Sequence, residues 1–308
     1  MNIMITGGAG FIASHVVEAC IEAGHRVAIV DNFSTGKKEH THPDAILYEM
    51  DITGSKLAEA FAAFKPEVVV HHAAQIDVGA SIRQPVFDAS VNITGTIALL
   101  EQCREHGVRK MIYASSAAVY GSPISLGITE THPVRPESCY GISKLTGEHY
   151  VELYGKLFDL DYTIFRYANV YGTRQDPMGE GGVISIFIDR WLKRIPPVIY
   201  GDGEQTRDFV FVKDVVAANI AALTKGRRSV LNIGTNLQTS INDLHRTMCE
   251  IFGVSMAPVY NDGRQGDIEH SRLDNRLALE YLGWKPTYTL SQGLEETCDF
   301  YQRLKTVR

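Results

Sequence analysis

Tyr140-Gly141-Ile142-Ser143-Lys144 sets a phenol and an ammonium four residues apart. On a helix that spacing puts both side chains on one face. An ammonium beside a phenol favours the ionised form and lowers the phenol's pKa from about 10, so Tyr140 could act as a general base near neutral pH. Upstream, Ser115 and Ser116 close the run Lys110-Met111-Ile112-Tyr113-Ala114. A hydroxyl at the carboxyl end of a parallel strand lies in the ligand crevice of an open α/β sheet. Ser116 is placed there to share a hydrogen bond with a substrate oxygen. Taken alone, the Tyr-Lys spacing describes an exposed tyrosine above a solvated lysine equally well.

A second chemical signal stands at the start of the chain. Thr6-Gly7-Gly8-Ala9-Gly10-Phe11-Ile12-Ala13 joins an apolar strand pattern to a helical one. Gly8, Gly10 and Ala13 fit the G-x-G-x-x-G/A fingerprint of a dinucleotide site. Glycines let the backbone turn sharply and approach a pyrophosphate, and the following helix offers free N–H groups and a partial positive charge. Asp31 ends the next strand pattern about twenty residues on, where the fingerprint expects an acid that accepts from the ribose 2′-OH. A carboxylate there repels a 2′-phosphate, which favours NAD over NADP.

These groups need a scaffold that brings the ends of several strands together. Ile3-Met4-Ile5, Val27 to Val30, Val68-Val69-Val70, Lys110 to Tyr113 and Thr163-Ile164-Phe165 read as short apolar strands. Helical patterns run between them: Phe11 to Ala23, Leu57 to Phe64, a long one from about Val86 to His106, and Tyr140 to Phe158. Strands that are apolar throughout, alternating with helices, predict an α/β fold with a doubly wound parallel (Rossmann) sheet covered on both faces. After Tyr167 the rhythm changes. Gly172 to Gly182 reads as a loop, Phe209 to Val212 as a strand returning to the main sheet, and the chain from Asn236 as mostly helical. The expected division is 1–166 with about 205–233 as the dinucleotide-binding unit. A smaller, discontinuous substrate unit takes about 167–204 with 234–308.

Bulk properties exclude several classes. Of the 308 residues, 44% are hydrophobic and 21% charged, which argues against disorder. A formal net charge of -6 carries no basic excess to hold nucleic acid or an anionic membrane. Cys20, Cys103, Cys139, Cys249 and Cys298 are scattered and odd in number, so neither a disulfide framework nor a metal site is expected. No run reaches the roughly 18 apolar residues of a spanning helix. No leader pattern precedes the first strand, and a cytoplasmic location is expected.

With these motifs in order, the sequence resembles the extended short-chain dehydrogenase/reductases, and among them the bacterial UDP-glucose 4-epimerases. The resemblance runs nearly end to end. It is carried by the glycine turn, Asp31-Asn32, His71 to Gln75, Ser115 to Gly121, Tyr140 to Lys144, Arg166 to Gly172, Arg207-Asp208-Phe209 and Arg264 to Asp267. It implies Ser116, Tyr140 and Lys144 as catalytic residues. It implies Gly7, Gly10, Phe11, Ile12, Asp31 and Asn32 around NAD, Asp51 and Ile52 flanking the adenine, and His72, Ala73, Ala74 and Asn92 along the cofactor. Tyr140 and Lys144 also reach the cofactor, and Tyr167 sits near the nicotinamide. On the substrate side it implies Ser116, Asn169 at the pyrophosphate, and Val183, Val198 and Tyr200 around the uracil. Arg207 and Arg264 would grip the phosphates, Asp267 a ribose hydroxyl, and Ser271 would stand at the C2′ side of the sugar. It further implies a homodimer joined through the Val86–His106 and Tyr140–Phe158 helices. Two departures are Ala13 at the third glycine and Cys139 where proline or serine commonly precedes the tyrosine.

The resemblance also bears on the reaction. Dehydratases of this superfamily carry an Asp-Glu pair just after the catalytic hydroxyl residue, and decarboxylases carry a glutamate in this segment. This chain has Ala117 and Ala118. Without a group to remove a second proton, a 4-keto sugar is best disposed of by returning the hydride. NAD-dependent C4′ epimerisation of UDP-glucose and UDP-galactose is therefore expected. Ser271 leaves room for UDP-N-acetylhexosamines as well. UDP-glucuronate 4-epimerisation, with Ser115 and Ser116 meeting the carboxylate, and a net-redox reductase or dehydrogenase are the alternatives.

Overall fold

Ile3 and Ile5 pack with one apolar cluster, Met4 with another, and all three are fully buried. Successive side chains of a strand point to opposite faces, so this is the pattern of a strand covered on both sides. In the computed structural model, which describes residues 1–178, 182–263 and 268–306, that strand is β1 (Asn2–Thr6) of a seven-stranded sheet. Along the chain follow β2 (Arg26–Asp31), β3 (Ile46–Glu49), β4 (Val68–His71), β5 (Lys110–Ser116) and β6 (Asp161–Tyr167). Next, β7 (Asn169–Tyr171), β8 (Val198–Tyr200), β9 (Thr206–Arg207) and β10 (Phe209–Phe211) lie outside the sheet. β11 (Ser229–Ile233) returns to it, while β12 (Thr239–Ser240) and β13 (Val259–Asn261) do not.

The sheet order is β11-β6-β5-β4-β1-β2-β3, parallel throughout. The order reverses between β1 and β4, which opens a crevice at the carboxyl ends of both strands. On the Ile3 side lie α1 (Phe11–Glu22), α8 (Val212–Ala222) and α10 (Arg276–Leu282), through Val16, Val17, Ala218 and Leu282. On the Met4 side lie α2 (Leu57–Phe64), α5 (Gly95–Glu105) and α6 (Cys139–Phe158), through Phe61, Leu99 and Val151. The doubly wound fold expected from the strand and helix rhythm is the one observed.

A third cluster forms beyond the crevice. It joins α7 (Val183–Leu192), α9 (Ile241–Phe252) and α11 (Leu290–Thr306) through Phe187, Trp191, Leu244, Met248 and Leu294. Phe11, the first residue of α1, packs into this cluster. The glycine turn is thereby tied to the layer that faces it.

One expectation needs correction. Phe209 to Val212 does not return to the main sheet: β10 pairs in parallel with β7, and Val212 already begins α8. The place beside β6 is taken by β11. Short runs buried on both faces carry no periodicity that says which sheet they join. The long helix read from Val86 to His106 is present as one continuous helical run from Pro85 to Glu105, with a wider turn inside it. α4 (Pro85–Ala89) passes through one π-helical turn, Ser90–Thr94, into α5. A Cβ at Gly95 would lie 2.6 Å from Ile52 Cδ1, so α5 starts in close contact with the β3–α2 connection. The wider turn carries the Asn92 side chain inward, as π-bulges often do at functional sites. A short α3 (Val78–Arg83) precedes these helices.

Candidate active site

The glycine turn is shaped by contact with the chain crossing the crevice. Gly7 has φ +69°, and a Cβ there would stand 2.8 Å from Ala73 N and 2.9 Å from Ala73 Cα. Only glycine takes that backbone conformation without strain, and only a hydrogen fits the gap. Gly8 instead faces Ile29 of β2. Gly10 is the N-cap of α1, so no side chain fills the space before the first-turn amides.

Asp31, at the end of β2, is almost buried. Its Oδ2 accepts from Ala9 N at 2.9 Å and its Oδ1 from Phe33 N at 2.8 Å. The carboxylate therefore pins the glycine turn to the next loop and keeps lone pairs for a further donor. Asn32 donates to Asp51 Oδ2 at 2.7 Å. Burial raises the Asp51 pKa, but bonds from the Thr53 amide and hydroxyl and from Asn32 outweigh it, and the carboxyl is held below its usual range. One cavity is walled by Gly7, Gly10, Asp31, Asn32, Asp51, Ile52, His72, Ala73 and Ala74. These are among the cofactor residues that the resemblance implies, brought together from the ends of β1, β2, β3 and β4.

Asn92 does not line that wall; it stands behind it. Its Oδ1 accepts from Gln75 N at 2.8 Å, and its Nδ2 reaches Gln75 O, Asp88 Oδ1 and Ser143 Oγ at 2.9–3.0 Å. Its hydrogen bonds hold the Ala74–Gln75 strip and α6 in place. His72 lies face to face with Tyr167, ring centres 5.9 Å apart, and Asn219 Nδ2 donates to the Tyr167 hydroxyl at 2.9 Å. Burial pulls the His72 pKa down to about 4, so the ring is neutral at pH 7.

A second cavity shares Gly7, Gly10 and His72 with the first. It adds Phe11, Ile12, Ser115, Ser116, Tyr140, Lys144, Tyr167, Asn169, Gln175 and Gly182. Ser138 caps α6 by accepting from Gly141 N, which sets Cys139 and Tyr140 in its first turn. Cys139 is partly buried there. Ser81 of α3 accepts the Tyr140 N–H at 3.1 Å. One turn later Lys144 is buried, and its Nζ donates to Ala114 O at 2.8 Å. Burial lowers the Lys144 pKa to about 8, against the pull of the Asp88 and Glu148 carboxylates. The ammonium lies 5.9 Å from the Tyr140 ring centre, where it favours the phenolate. Ser116 Oγ accepts from Ala118 N at 3.2 Å and keeps its proton for the cavity.

Beneath Ser115 lies a polar network that the sequence did not reveal. Glu148, four residues after Lys144, accepts the Ser115 hydroxyl and is held by Arg166 Nε at 3.0 Å and Nη2 at 2.6 Å. Arg166 Nη1 donates to Tyr120 Oη at 3.0 Å, and Tyr120 donates to Asn232 Oδ1 at 2.7 Å. Gln175 was not foreseen either. Its Nε2 donates to Val170 O at 3.2 Å, and its buried Oε1 has no hydrogen-bond partner among the described residues.

The remaining substrate-side residues are spread over the outer layer and do not line these two cavities. Val183 opens α7, and Val198 and Tyr200 lie on β8. Arg207, on β9, donates to Thr206 O at 2.9 Å, and buried Ser271 donates its N–H to Thr206 O at 3.2 Å. Arg264 and Asp267 lie outside the described residues.

Known proteins share this arrangement. The NAD dependent epimerase/dehydratase family model matches residues 3–234. A putative UDP-glucose 4-epimerase of Methanocaldococcus jannaschii is 46% identical over 299 residues, covering 97% of each chain. The crystal structure of UDP-glucose 4-epimerase with UDP-glucose from Thermotoga maritima matches with a TM-score of 0.97 and 44% identity over 100% of both chains. That of Thermus thermophilus UDP-glucose 4-epimerase in complex with NAD matches at 0.93 and 38% identity, over 98% of this chain and 99% of that one.

Proposed function

The chain belongs to the NAD dependent epimerase/dehydratase family, and from that premise we propose that its paired cavities invert UDP-sugars at C4′ with NAD as cofactor. One observation carries this reading. Ser116, Tyr140 and Lys144 share a cavity that opens into the glycine-turn crevice, and the next two residues, Ala117 and Ala118, bring no second acid–base group. The crevice fits NAD by its own shape: Gly7 leaves no room for a side chain, the α1 amides are open, and Asp31 retains acceptor capacity.

When bound, NAD supplies a reversible hydride acceptor for C4′. Tyr140, as phenolate beside the Lys144 ammonium, takes the 4′-hydroxyl proton. Ser116 donates to the same oxygen while it becomes a carbonyl. Neutral His72 and Tyr167 wall the cavity without adding charge. With no group to eliminate water, the 4-ketose is reduced again, and inversion follows when it presents its opposite face. Tyr140 then returns the proton.

Asn169 serves the pyrophosphate, Arg207 and Arg264 the phosphates, Asp267 a ribose hydroxyl, and Val183, Val198 and Tyr200 the uracil. Arginine forks suit phosphate oxygens. Ser271 is small, and UDP-N-acetylhexosamines are accepted alongside UDP-galactose and UDP-glucose. Val86, Ile142 and Leu157 are 82%, 51% and 60% exposed on α4 and α6. Apolar exposure on these neighbouring helices supports a twofold dimer. No helix among the described residues is long and apolar enough to cross a membrane, and the reading places the enzyme in the cytoplasm.

The test is incubation of the purified protein with UDP-galactose, without added NAD, followed by chromatography for UDP-glucose. A mixture of both epimers without net NADH is expected. No conversion, also with NAD added, overturns the reading.

A further inference from the structure

Ser115 and Ser116 are neighbours on β5, both line the sugar-side cavity, and their hydroxyls are polarised in opposite senses. Ser116 accepts from Ala118 N, which leaves its single proton for a ligand. Ser115 has spent its proton. The partner is Glu148, whose carboxylate has only acceptor capacity, and the Ser115 hydroxyl donates to Oε1. Glu148 cannot readily release it. The carboxylate is 2% exposed, and Arg166 binds it through Nε and Nη2 while Nη1 is held by Tyr120 Oη and Glu130 O. Tyr120 is fixed in turn by Asn232. Each member of the network fixes the next, so towards the cavity Ser115 offers lone pairs alone.

We propose that Ser115, its proton held by Glu148, is a specificity-determining residue that accepts a hydrogen bond from a hydroxyl at the sugar's C6′ and rejects a carboxylate there. The proposal rests on the reading that this cavity takes a UDP-sugar with C4′ at Ser116 and Tyr140. C6′ is attached one carbon from C4′, and among UDP-hexoses it is the neighbouring position that changes between neutral hydroxyl and carboxylate. A hydroxyl gives Ser115 the donor it lacks. A carboxylate brings lone pairs against lone pairs, backed by Glu148, and loses its water without gaining a donor. The Lys144 ammonium is already committed to Ala114 O beside Tyr140. A site built to hydrogen-bond one polar group discriminates strongly against an analogue that leaves it unpaired.

The experiment compares kcat/KM for UDP-galactose and UDP-galacturonate, in the wild-type protein and in Ser115→Ala. This variant leaves Glu148 on Arg166 and is checked for folding by circular dichroism and retained NAD. The wild type should prefer UDP-galactose by about 100-fold or more. In Ser115→Ala that ratio should fall at least threefold, mainly through loss of the UDP-galactose rate. A wild-type preference below about 100-fold, or a ratio that falls less than threefold in the variant, overturns the proposal. Failure of UDP-galactose itself to turn over is a different result: it removes the epimerase reading on which the proposal rests.

Discussion

The Lys144 ammonium lies 5.9 Å from the centre of the Tyr140 ring, with its Nζ anchored 2.8 Å from the Ala114 carbonyl. Helical spacing alone puts the two on one face. The anchor adds direction, because it ties the ammonium to the strand that also carries Ser116. Tyr140, Lys144 and Ser116 are thus referred to one rigid element.

Replacing Tyr140 by phenylalanine removes the proton acceptor but little of the packing. We expect kcat for UDP-galactose to fall by roughly 10²- to 10⁴-fold, the usual contribution of general acid–base catalysis. NAD content after purification should remain that of the wild type. Steady-state kinetics beside cofactor release on denaturation checks both halves, and a wild-type kcat would remove Tyr140 from its role.

The acid–base pair also sets a pH limit. Burial lowers the Lys144 pKa to about 8 from its usual 10.5. Below about pH 8 the ammonium persists and favours the phenolate; above it the charge is lost and the phenolate loses its support. The kcat profile should therefore decline on the alkaline side near pH 8. In Lys144→Arg, whose guanidinium stays charged, that decline should be absent even where kcat is lower. Measuring kcat from pH 6 to 10 in both proteins decides it, and an unchanged alkaline limb in the arginine variant counts against Lys144 as its origin.

Much of this site was legible because it is local. Tyr140 and Lys144 are one helical turn apart, and Gly7, Gly10 and Asp31 lie within one β-α-β unit. The Glu148–Arg166 pair was not read from the sequence, since it joins residues from α6 and β6 that meet only when the sheet forms. The π-helical turn that carries Asn92 behind the cavity wall was not legible either, because such a turn has no signature in apolar spacing. Phe209 to Val212 failed for a similar reason: four apolar residues identify a buried strand without naming its neighbour.

The buried pair makes its own prediction. Glu148 and Arg166 are 2% and 6% exposed, and Arg166→Met would leave an uncompensated carboxylate in the core. Losing one partner of such a pair typically costs about 3–5 kcal/mol, whereas apolar replacement of both is often close to neutral. Urea denaturation should show Glu148→Leu/Arg166→Met less destabilised than Arg166→Met alone. Simple additivity of the two single variants would mean that the pair is not coupled.

Gly7→Ala separates two demands made on one glycine. Its φ of +69° costs an alanine roughly 1–2 kcal/mol wherever it occurs. The new Cβ would also stand 2.8 Å from Ala73 N and 2.9 Å from Ala73 Cα, which are backbone atoms that cannot rotate away. Gly24 supplies the control. Its φ is +79°, and a Cβ there meets nothing within 4 Å. Both alanine variants should lose similar stability from the backbone term, but only Gly7→Ala must push the Ala73 strip away from the glycine turn. Displacements on that scale at a ligand site are costly, so NAD retained through purification should drop at least about tenfold in Gly7→Ala and stay at the wild-type level in Gly24→Ala. Equal retention in the two variants would show that the close approach to Ala73 does not shape the cofactor crevice.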